Sequence, residues 1–449
     1  MSEPVNNAPR HQYEAFLRQL PADWDHQEIT QLGAVVGGGT PSREVPSFWR
    51  GPIPWVTPGE VSGEASKLLH DTQEHISPSG LAGSGANLLP AGSLLVTTRA
   101  TLGARAINAV PMATNQGFKS IVFKKPEEAS YYYHLFEKVK PELVRRASGT
   151  TFLEISGAEF GSIKLPSPSP EEKLKIAELL DTLDTAIRQT EAIVDKLKQV
   201  KQGLLHDLLT RGVDANGELR PSYEQAPELY KDSPLGWVPK DWEIVTLGQI
   251  ASRSSGILQT GPFGSQLHAH EYVADGVPVV MPQAMIDGRL SVQQIARITT
   301  RKAVALSRHR VIPNDIVFSR RGDLSRCVAI EDEHTGWLCG TGCLLARLPK
   351  KEINGFWLAL VYQQPGVQSQ VLGRAVGSTM ANLNTAILAE LTIARPIVDE
   401  QNEITLRLKA TTLRMNQELA DLAKLRQQKI GLMDDLLTGR VRVTPLLAQ

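Results

Sequence analysis

Only three cysteines occur in 449 residues, Cys327, Cys339 and Cys343, too few for a disulfide framework and suited to a reducing compartment. Aromatics are sparse at 6%, and no apolar run approaches the roughly 20 residues needed to cross a bilayer, which excludes helical membrane spans. Met1 to Arg10 is polar and proline-bearing without an apolar core, so no secretory signal is read there and a cytoplasmic location is expected. The net charge is zero, which argues against a protein that coats nucleic acid by bulk electrostatics. Any DNA contact must be local.

Sites for phosphate, methyl-donor and metal chemistry are missing as well. There is no Gly-x4-Gly-Lys-Ser/Thr loop and no Gly-x-Gly-x-x-Gly between strand and helix. Gly37-Gly38-Gly39 followed by Thr40-Pro41 lacks the lysine of a phosphate loop and reads as a turn. The Asn/Asp-Pro-Pro-Tyr tetrapeptide of adenine methyltransferases is absent, as are the paired acids plus lysine of a common nuclease core. Cys327, His334, Cys339 and Cys343 offer four zinc-type ligands in one stretch, but only Cys339 and Cys343 are close in sequence. Buried structural cysteines, with no metal bound, are the expectation.

What is present is a repeat. Glu171 to Val213 aligns without gaps to Asp399 to Val441, with about sixteen identities, ending in Gly203-Leu-Leu-His-Asp-Leu-Leu-Thr210 against Gly431-Leu-Met-Asp-Asp-Leu-Leu-Thr438. Upstream, Pro21-Ala-Asp-Trp24 then Leu32-Gly33 matches Pro239-Lys-Asp-Trp242 then Leu247-Gly248, and Ser148, Leu153, Ile163 and Pro166 match Ser378, Leu383, Ile393 and Pro396. A globular part followed by a helical part therefore occurs twice.

Both helical parts carry a seam. Ile176, Leu180, Leu183, Ile187, Thr190, Val194, Leu197, Lys201, Leu204 and Leu208 step by four and three, the 3.5-residue period of a coiled coil. The second copy runs Ile404, Leu408, Thr411, Met415, Glu418, Leu422, Leu425, Lys429, Leu432 and Leu436. Prolines precede each helix, and the acidic pairs Glu171-Glu172 and Asp399-Glu400 sit at the positive ends of the helix dipoles. A helix of about 40 residues spans roughly 60 Å, too long to be buried inside one globular part. Two matched seams would bury each other, and a cyclic arrangement of repeats would run them antiparallel.

The globular parts contain short apolar runs, Ser93–Thr97, Ser120–Phe123, Asp315–Phe318 and Cys343–Ala346, broken by glycine and proline, which predict α+β domains with long loops and few helices. The expected division is an N-terminal segment 1–18, a first domain 19–166, a helical spacer 167–213, a polar linker 214–235, a second domain 236–396, a second spacer 397–441 and a tail 442–449. Each domain has one basic segment: about eight Lys/Arg against two acids from Arg297 to Arg326, and about nine against four from Arg99 to Arg146. Chance clustering of surface arginines explains such segments equally well on composition alone.

The order and duplication of these segments resemble the specificity subunit of type I restriction-modification systems. The stretches that carry the resemblance are Gly38-Gly39-Thr40-Pro41-Ser42 through Trp49–Thr57, Leu165-Pro166 through Glu171-Glu172, Gly203–Gly212, and Asp232–Trp242. The resemblance implies two target recognition domains joined by two long antiparallel coiled-coil helices with a pseudo-twofold internal repeat. It also implies double-stranded DNA with a bipartite site as ligand, two methyltransferase subunits and two restriction-translocase subunits as partners, and no catalysis in this chain. S-adenosylmethionine, ATP and magnesium would belong to the partners, and the paired helices would act as a ruler between two half-sites.

The residues expected to meet DNA are Arg99, Arg105, Asn115, Gln116 and Lys119 in the first domain, and Arg308, Arg310, Arg320, Arg321 and Arg326 in the second, with side chains suited to phosphate and base-edge contacts. Thr98-Arg99 and Ser319-Arg320 each follow an apolar run in comparable places. Alternatives remain open: a coiled-coil scaffold that binds no DNA, an enzyme with an unrecognised site, and a specificity subunit serving a fused methyltransferase-nuclease. Outward apolar positions Leu179, Ile193 and Val200 predict poor solubility without the methyltransferase.

Overall fold

The structure is a computed structural model that describes residues 8–63, 66–148, 153–286, 288–293, 295–375 and 382–447; Ser378 of the repeat comparison lies outside them. The chain divides into two compact units, Met1–Ala192 with Leu419–Gln449, and Ile193–Glu418. Each combines one globular domain with parts of two long helices, Pro170–Thr210 and Val398–Leu436. No described helix is long and apolar enough to cross a membrane.

The helix starts follow from their sequences. Pro170 occupies the first turn of the first long helix, where its missing N–H costs nothing, and the Ser169 hydroxyl accepts the Glu172 N–H at 3.2 Å. At the start of the second, Gln401 donates to the Pro396 and Glu352 carbonyls at 2.8 and 2.9 Å. All twenty seam residues are buried or half-buried.

In the first unit Glu191 pairs with Arg426 at 2.7 Å and Asp184 pairs with Lys429, so residue numbers rise along one helix as they fall along the other. The seam lysine of the second helix thus finds a carboxylate on the first. In the second unit Leu208 and Leu209 share a core with Ile404 and Leu408, and Val213, further along, donates its N–H to Glu400, which comes earlier, so the order is again antiparallel. Ile193 and Val200 face outward at 41% and 44% exposure, but Leu179 is half-buried against the first domain's core, which corrects its expected outward position.

Both globular domains are α+β, and the four apolar runs are strands, placed at Leu94–Thr97, Phe118–Phe123, Ile316–Ser319 and Cys343–Arg347. Apart from half-buried Lys119, Val122 and Arg347, their side chains are buried on both faces, which is why they read as apolar runs. In the first domain the main sheet runs Gly33–Gly37, Phe118–Phe123, Leu94–Thr97, Arg105–Asn108 and Leu68–Leu69. In the second it runs Ile257–Thr260, Cys343–Arg347, Ile316–Ser319 and Cys327–Ala329.

A second sheet in each domain contains one parallel pair in the same register, Trp55 with Ala113 and Val56 with Thr114, against Val279 with Leu338 and Val280 with Cys339. A third match is the antiparallel pair that leads into each long helix, Asp25–Glu28 with Lys164–Ser167 and Glu243–Thr246 with Thr392–Arg395. The two domains therefore share one backbone plan.

Two elements went unread in the sequence. An 18-residue helix, Ala129–Arg146, packs on the first domain's sheet; its Tyr131-Tyr132-Tyr133 run and internal Pro141 conceal its period. Its His134 accompanies Ser130 and Lys67 at Asp181 of the first long helix. The polar segment read as a linker is folded too. Tyr223 stacks on Trp237 at 4.3 Å, and Tyr230 donates to the Pro221 carbonyl at 2.6 Å.

The same segment closes an ion triad. Arg220 donates to Glu400 at 2.5 and 3.1 Å and to Asp241 at 2.7 Å. The equivalent triad in the first unit is supplied by the segment after the second helix: Arg442 binds Glu172 at 2.9 Å and Asp23 at 2.9 and 2.8 Å. Gly212 and Gly439 end the two helices with φ of 65° and 67°. A Cβ on Gly212 would lie 2.0 Å from the Glu400 carboxylate, so the glycine there is obligatory.

Candidate nucleic-acid interface

At one end of each domain, three chain segments converge beside the central strands. In the first domain Asn115 donates its N–H to the Val56 carbonyl at 3.0 Å, Thr98 donates to Gly117 at 2.8 Å, and Ile155 donates to Thr98 at 3.0 Å. In the second, Gly340 donates to Val280 at 2.9 Å, Arg320 to Gly342 at 2.9 Å, and Leu383 to Arg320 at 3.0 Å. These bonds equate Asn115 with Gly340, Gln116 with Thr341, Thr98 with Arg320, and Glu154 with Asn382.

A fourth segment passes so close that only glycine fits. A Cβ on Gly38 would lie 1.9 Å from the Asn115 carbonyl oxygen, and one on Gly261 would lie 1.8 Å from that of Gly340. The backbone approach then places Thr40 and Phe263 at matching positions. Thr40 donates to the Gln116 side chain, whereas Phe263 stands 52% exposed.

Four of the five expected residues of the first domain come together here. Arg99 follows the strand Leu94–Thr97 and forms an isolated bridge with Glu154. The Glu154 carboxylate lies 3.7 Å from the Arg99 Nε and 3.9 Å from the Lys119 Nζ. Asn115 turns its amide oxygen back to the Gly117 N–H at 2.8 Å, which shapes the loop, and Gln116 is exposed at its tip.

Arg105 is different. Its guanidinium donates to the Tyr133 carbonyl at 2.5 Å and to Glu137 at 3.1 Å, and its side chain is only 13% exposed. It fastens the sheet to the helix Ala129–Arg146, because a strand side chain at this position points at the covering helix.

In the second domain Arg320 donates through Nε to Asn382 at 3.2 Å, and Arg321 bridges Asn382 through the backbone and is exposed. The counterpart of Arg99 is therefore Arg321, one residue beyond the expected Arg320; strand register, not distance from the apolar run, decides the match. Exposed Arg326 contacts Asp323 at 3.1 Å and the Pro282 carbonyl at 3.3 Å. The Ser325 hydroxyl, with Arg326 beside it, holds the Asp323 carboxyl below its ordinary range.

Arg308 and Arg310 lie on a different segment of the second domain. The Arg308 Nε–H donates to His309 Nε2 at 3.1 Å, and burial, with Arg308 alongside, holds the His309 imidazole below its ordinary range. Gln259 of the strand Ile257–Thr260 donates to the Arg308 carbonyl at 2.7 Å, while Arg310 donates to the Gly336 carbonyl at 3.0 Å. Sequence reasoning missed Thr40, Glu154, Phe263, Thr341 and Asn382. One signal was available for the first and third, the repeated Gly-x-x-x-Ser of Gly38–Ser42 and Gly261–Ser265.

The three cysteines are buried, and desolvation pushes the Cys327 thiol up to about 12. They and His334 are not gathered into a ligand cluster. Among the described residues one group has metal-type spacing, His134, Asp181 and Asp184, with ligand atoms within 4.8 Å of one another. Lys67 pairs with Asp181 and Lys429 with Asp184, so ammonium groups already supply the positive charge.

The type I restriction modification DNA specificity domain family matches residues 21–199 and 239–424. The MjaIX specificity subunit of Methanocaldococcus jannaschii is 31% identical over 245 residues, covering 54% of this chain and 55% of the relative. The EcoR124I/EcoR124II specificity subunit of Escherichia coli is 27% identical over 217 residues, covering 45% and 53%. The chain thus spans about half the length of these two relatives. It aligns to the MjaVIII specificity subunit of M. jannaschii over 95% of both chains at 22% identity.

Among solved structures, the type I restriction-modification S subunit from M. genitalium has a TM-score of 0.56 at 14% identity, covering 93% of this chain and 98% of that one. A chain from a structure described as the basis of complex assembly and conformational transition of the type I R-M system gives 0.50 at 16%, covering 94% and 99%. With both halves of the repeat matched, the chain belongs to the type I restriction modification DNA specificity domain family.

Proposed function

We propose that this chain is the sequence-reading subunit of a type I restriction-modification complex, binding double-stranded DNA at a split site for adenine methylation, or for ATP-driven translocation and cleavage, by partner subunits. The observation that carries this reading is the paired, register-matched surface: one backbone plan, used twice, presents different side chains beside a basic segment. Two readers on one chain call for a target of two short sequences separated by unread base pairs. Arg99, Gln116 and Lys119, and Arg320, Arg321 and Arg326, are the groups proposed to meet phosphates and base edges, with Arg308 and Arg310 on the flank. Asn115 shapes its loop, and Arg105 belongs to the packing.

Catalysis, S-adenosylmethionine, ATP and magnesium are assigned to two methyltransferase and two restriction-translocase subunits. Outward apolar side chains on the long helices, Ile193 and Val200 among them, suit contact with such partners. The test is to co-purify the chain with the methyltransferase encoded beside it and map adenine methylation across a genomic library by single-molecule sequencing. A split motif with one fixed gap is expected. A stable complex that leaves no motif would refute the reading.

A further inference from the structure

The matched registers single out one pair of positions where the two surfaces differ in charge. Residue 154 in the first domain and residue 382 in the second occupy the same backbone site, bridged to Arg99 and Arg321 respectively. In the first domain the site holds Glu154, whose carboxylate lies near both Arg99 and Lys119. In the second it holds Asn382, which accepts from Arg320, and the strand position equivalent to Lys119 is the buried Leu344. The first surface thus has two cations around one anion, and the second has a neutral amide that accepts from the Arg320 side chain and meets Arg321 through the backbone.

We propose that positions 154 and 382 are equivalent specificity-determining positions, one for each half-site, with Glu154 demanding a base-edge donor in its half and Asn382 accepting a wider choice in the other. This rests on the DNA-reading function proposed above. A carboxylate can only accept, so near a base edge it pairs with the exocyclic amino group of cytosine or adenine and repels phosphate and carbonyl acceptors. It also competes with DNA for Arg99 and Lys119, so a sequence that offers Glu154 no donor must break those contacts without replacement. An asparagine offers both a donor and an acceptor and imposes no such condition. Glu154 is 42% exposed, open enough to meet a ligand.

The experiment uses the full chain with its methyltransferase and compares motifs mapped for the wild type, Glu154→Gln and Asn382→Asp. Glu154→Gln is expected to relax one base position in one half of the motif, lowering discrimination there by roughly 5- to 150-fold, and to leave the other half unchanged. Asn382→Asp should narrow or shift a position in the opposite half only. Both substitutions keep shape and backbone bonds, and thermal melting checks that the chain is folded. An unchanged motif with methylation intact overturns the proposal, even where Glu154→Gln raises affinity for all sequences alike, because that is the mark of a purely electrostatic role. Relaxation of both halves together also overturns it. If the wild type itself yields no split motif, the DNA-reading function fails, a result distinct from either of these.

Discussion

Replacing Glu400 by alanine should destabilise the second unit far more than the matching replacement of Glu172 destabilises the first. The Glu400 side chain is 7% exposed and accepts four hydrogen bonds: two from Arg220 at 2.5 and 3.1 Å, one from the Trp242 indole at 3.1 Å and one from the Val213 N–H at 2.9 Å. Its removal leaves a guanidinium that is 10% exposed and two further unpaired donors around it, the Trp242 indole and the Val213 N–H. Breaking a buried pair costs about 3–5 kcal/mol. Arg220 keeps Asp241, which places the loss near about 3 kcal/mol, or about 6–12 °C for a unit of this size.

Glu172 is equally buried, but its partner Arg442 is 28% exposed and retains both bonds to Asp23. Solvent and Asp23 satisfy that arginine, so the loss should be about 1.5 kcal/mol, or about 3–6 °C. Differential scanning calorimetry of the wild type, Glu400→Ala and Glu172→Ala at neutral pH measures both. A shift for Glu400→Ala below 2 °C, or one no larger than that of Glu172→Ala, would refute the reasoning that burial of the arginine sets the cost.

Burial holds the His134 imidazole below its ordinary range despite its hydrogen bond to Asp181 and the nearby Asp184, with Lys67 adding to the effect. The unfolded chain takes up this proton near pH 6.5 while the folded chain resists it, so stability falls as pH drops from about 7 to 5. His134→Gln should reduce the loss in urea midpoint between pH 7.5 and 5.5; equal losses would remove His134 from the account. In the seam, Leu208→Ala and Ile404→Ala remove fully buried side chains and should each cost about 2–5 kcal/mol, whereas Leu406→Ala, at 63% exposure, should stay within about 0.5 in the same denaturant titration. Arg105→Ala should lower the melting temperature, through the lost bonds to Tyr133 and Glu137, and leave any methylation motif as it was; an altered motif would show that the arginine reads DNA after all.

The repeat, the two long helices and their seams were legible in the sequence because a 3.5-residue apolar period and a gapless match depend on nothing beyond the helix itself. The α+β character of each domain was legible for a similar reason: buried strands must be apolar on both faces, wherever they pair. Tertiary structure alone decided the rest. Arg99 matches Arg321 and not Arg320 because hydrogen-bond register, set across strands far apart in sequence, determines which residue reaches the surface. Arg105 and Lys119 looked alike as basic residues, yet one is spent on a covering helix and the other stands beside Glu154. Glu154 and Asn382 carried no local signal, since their importance lies in what a distant strand places next to them. The polar segment after the first helix read as a linker because its folding depends on the Arg220 contact with Glu400, 180 residues away, and a local reading of sequence has no access to a partner at that distance.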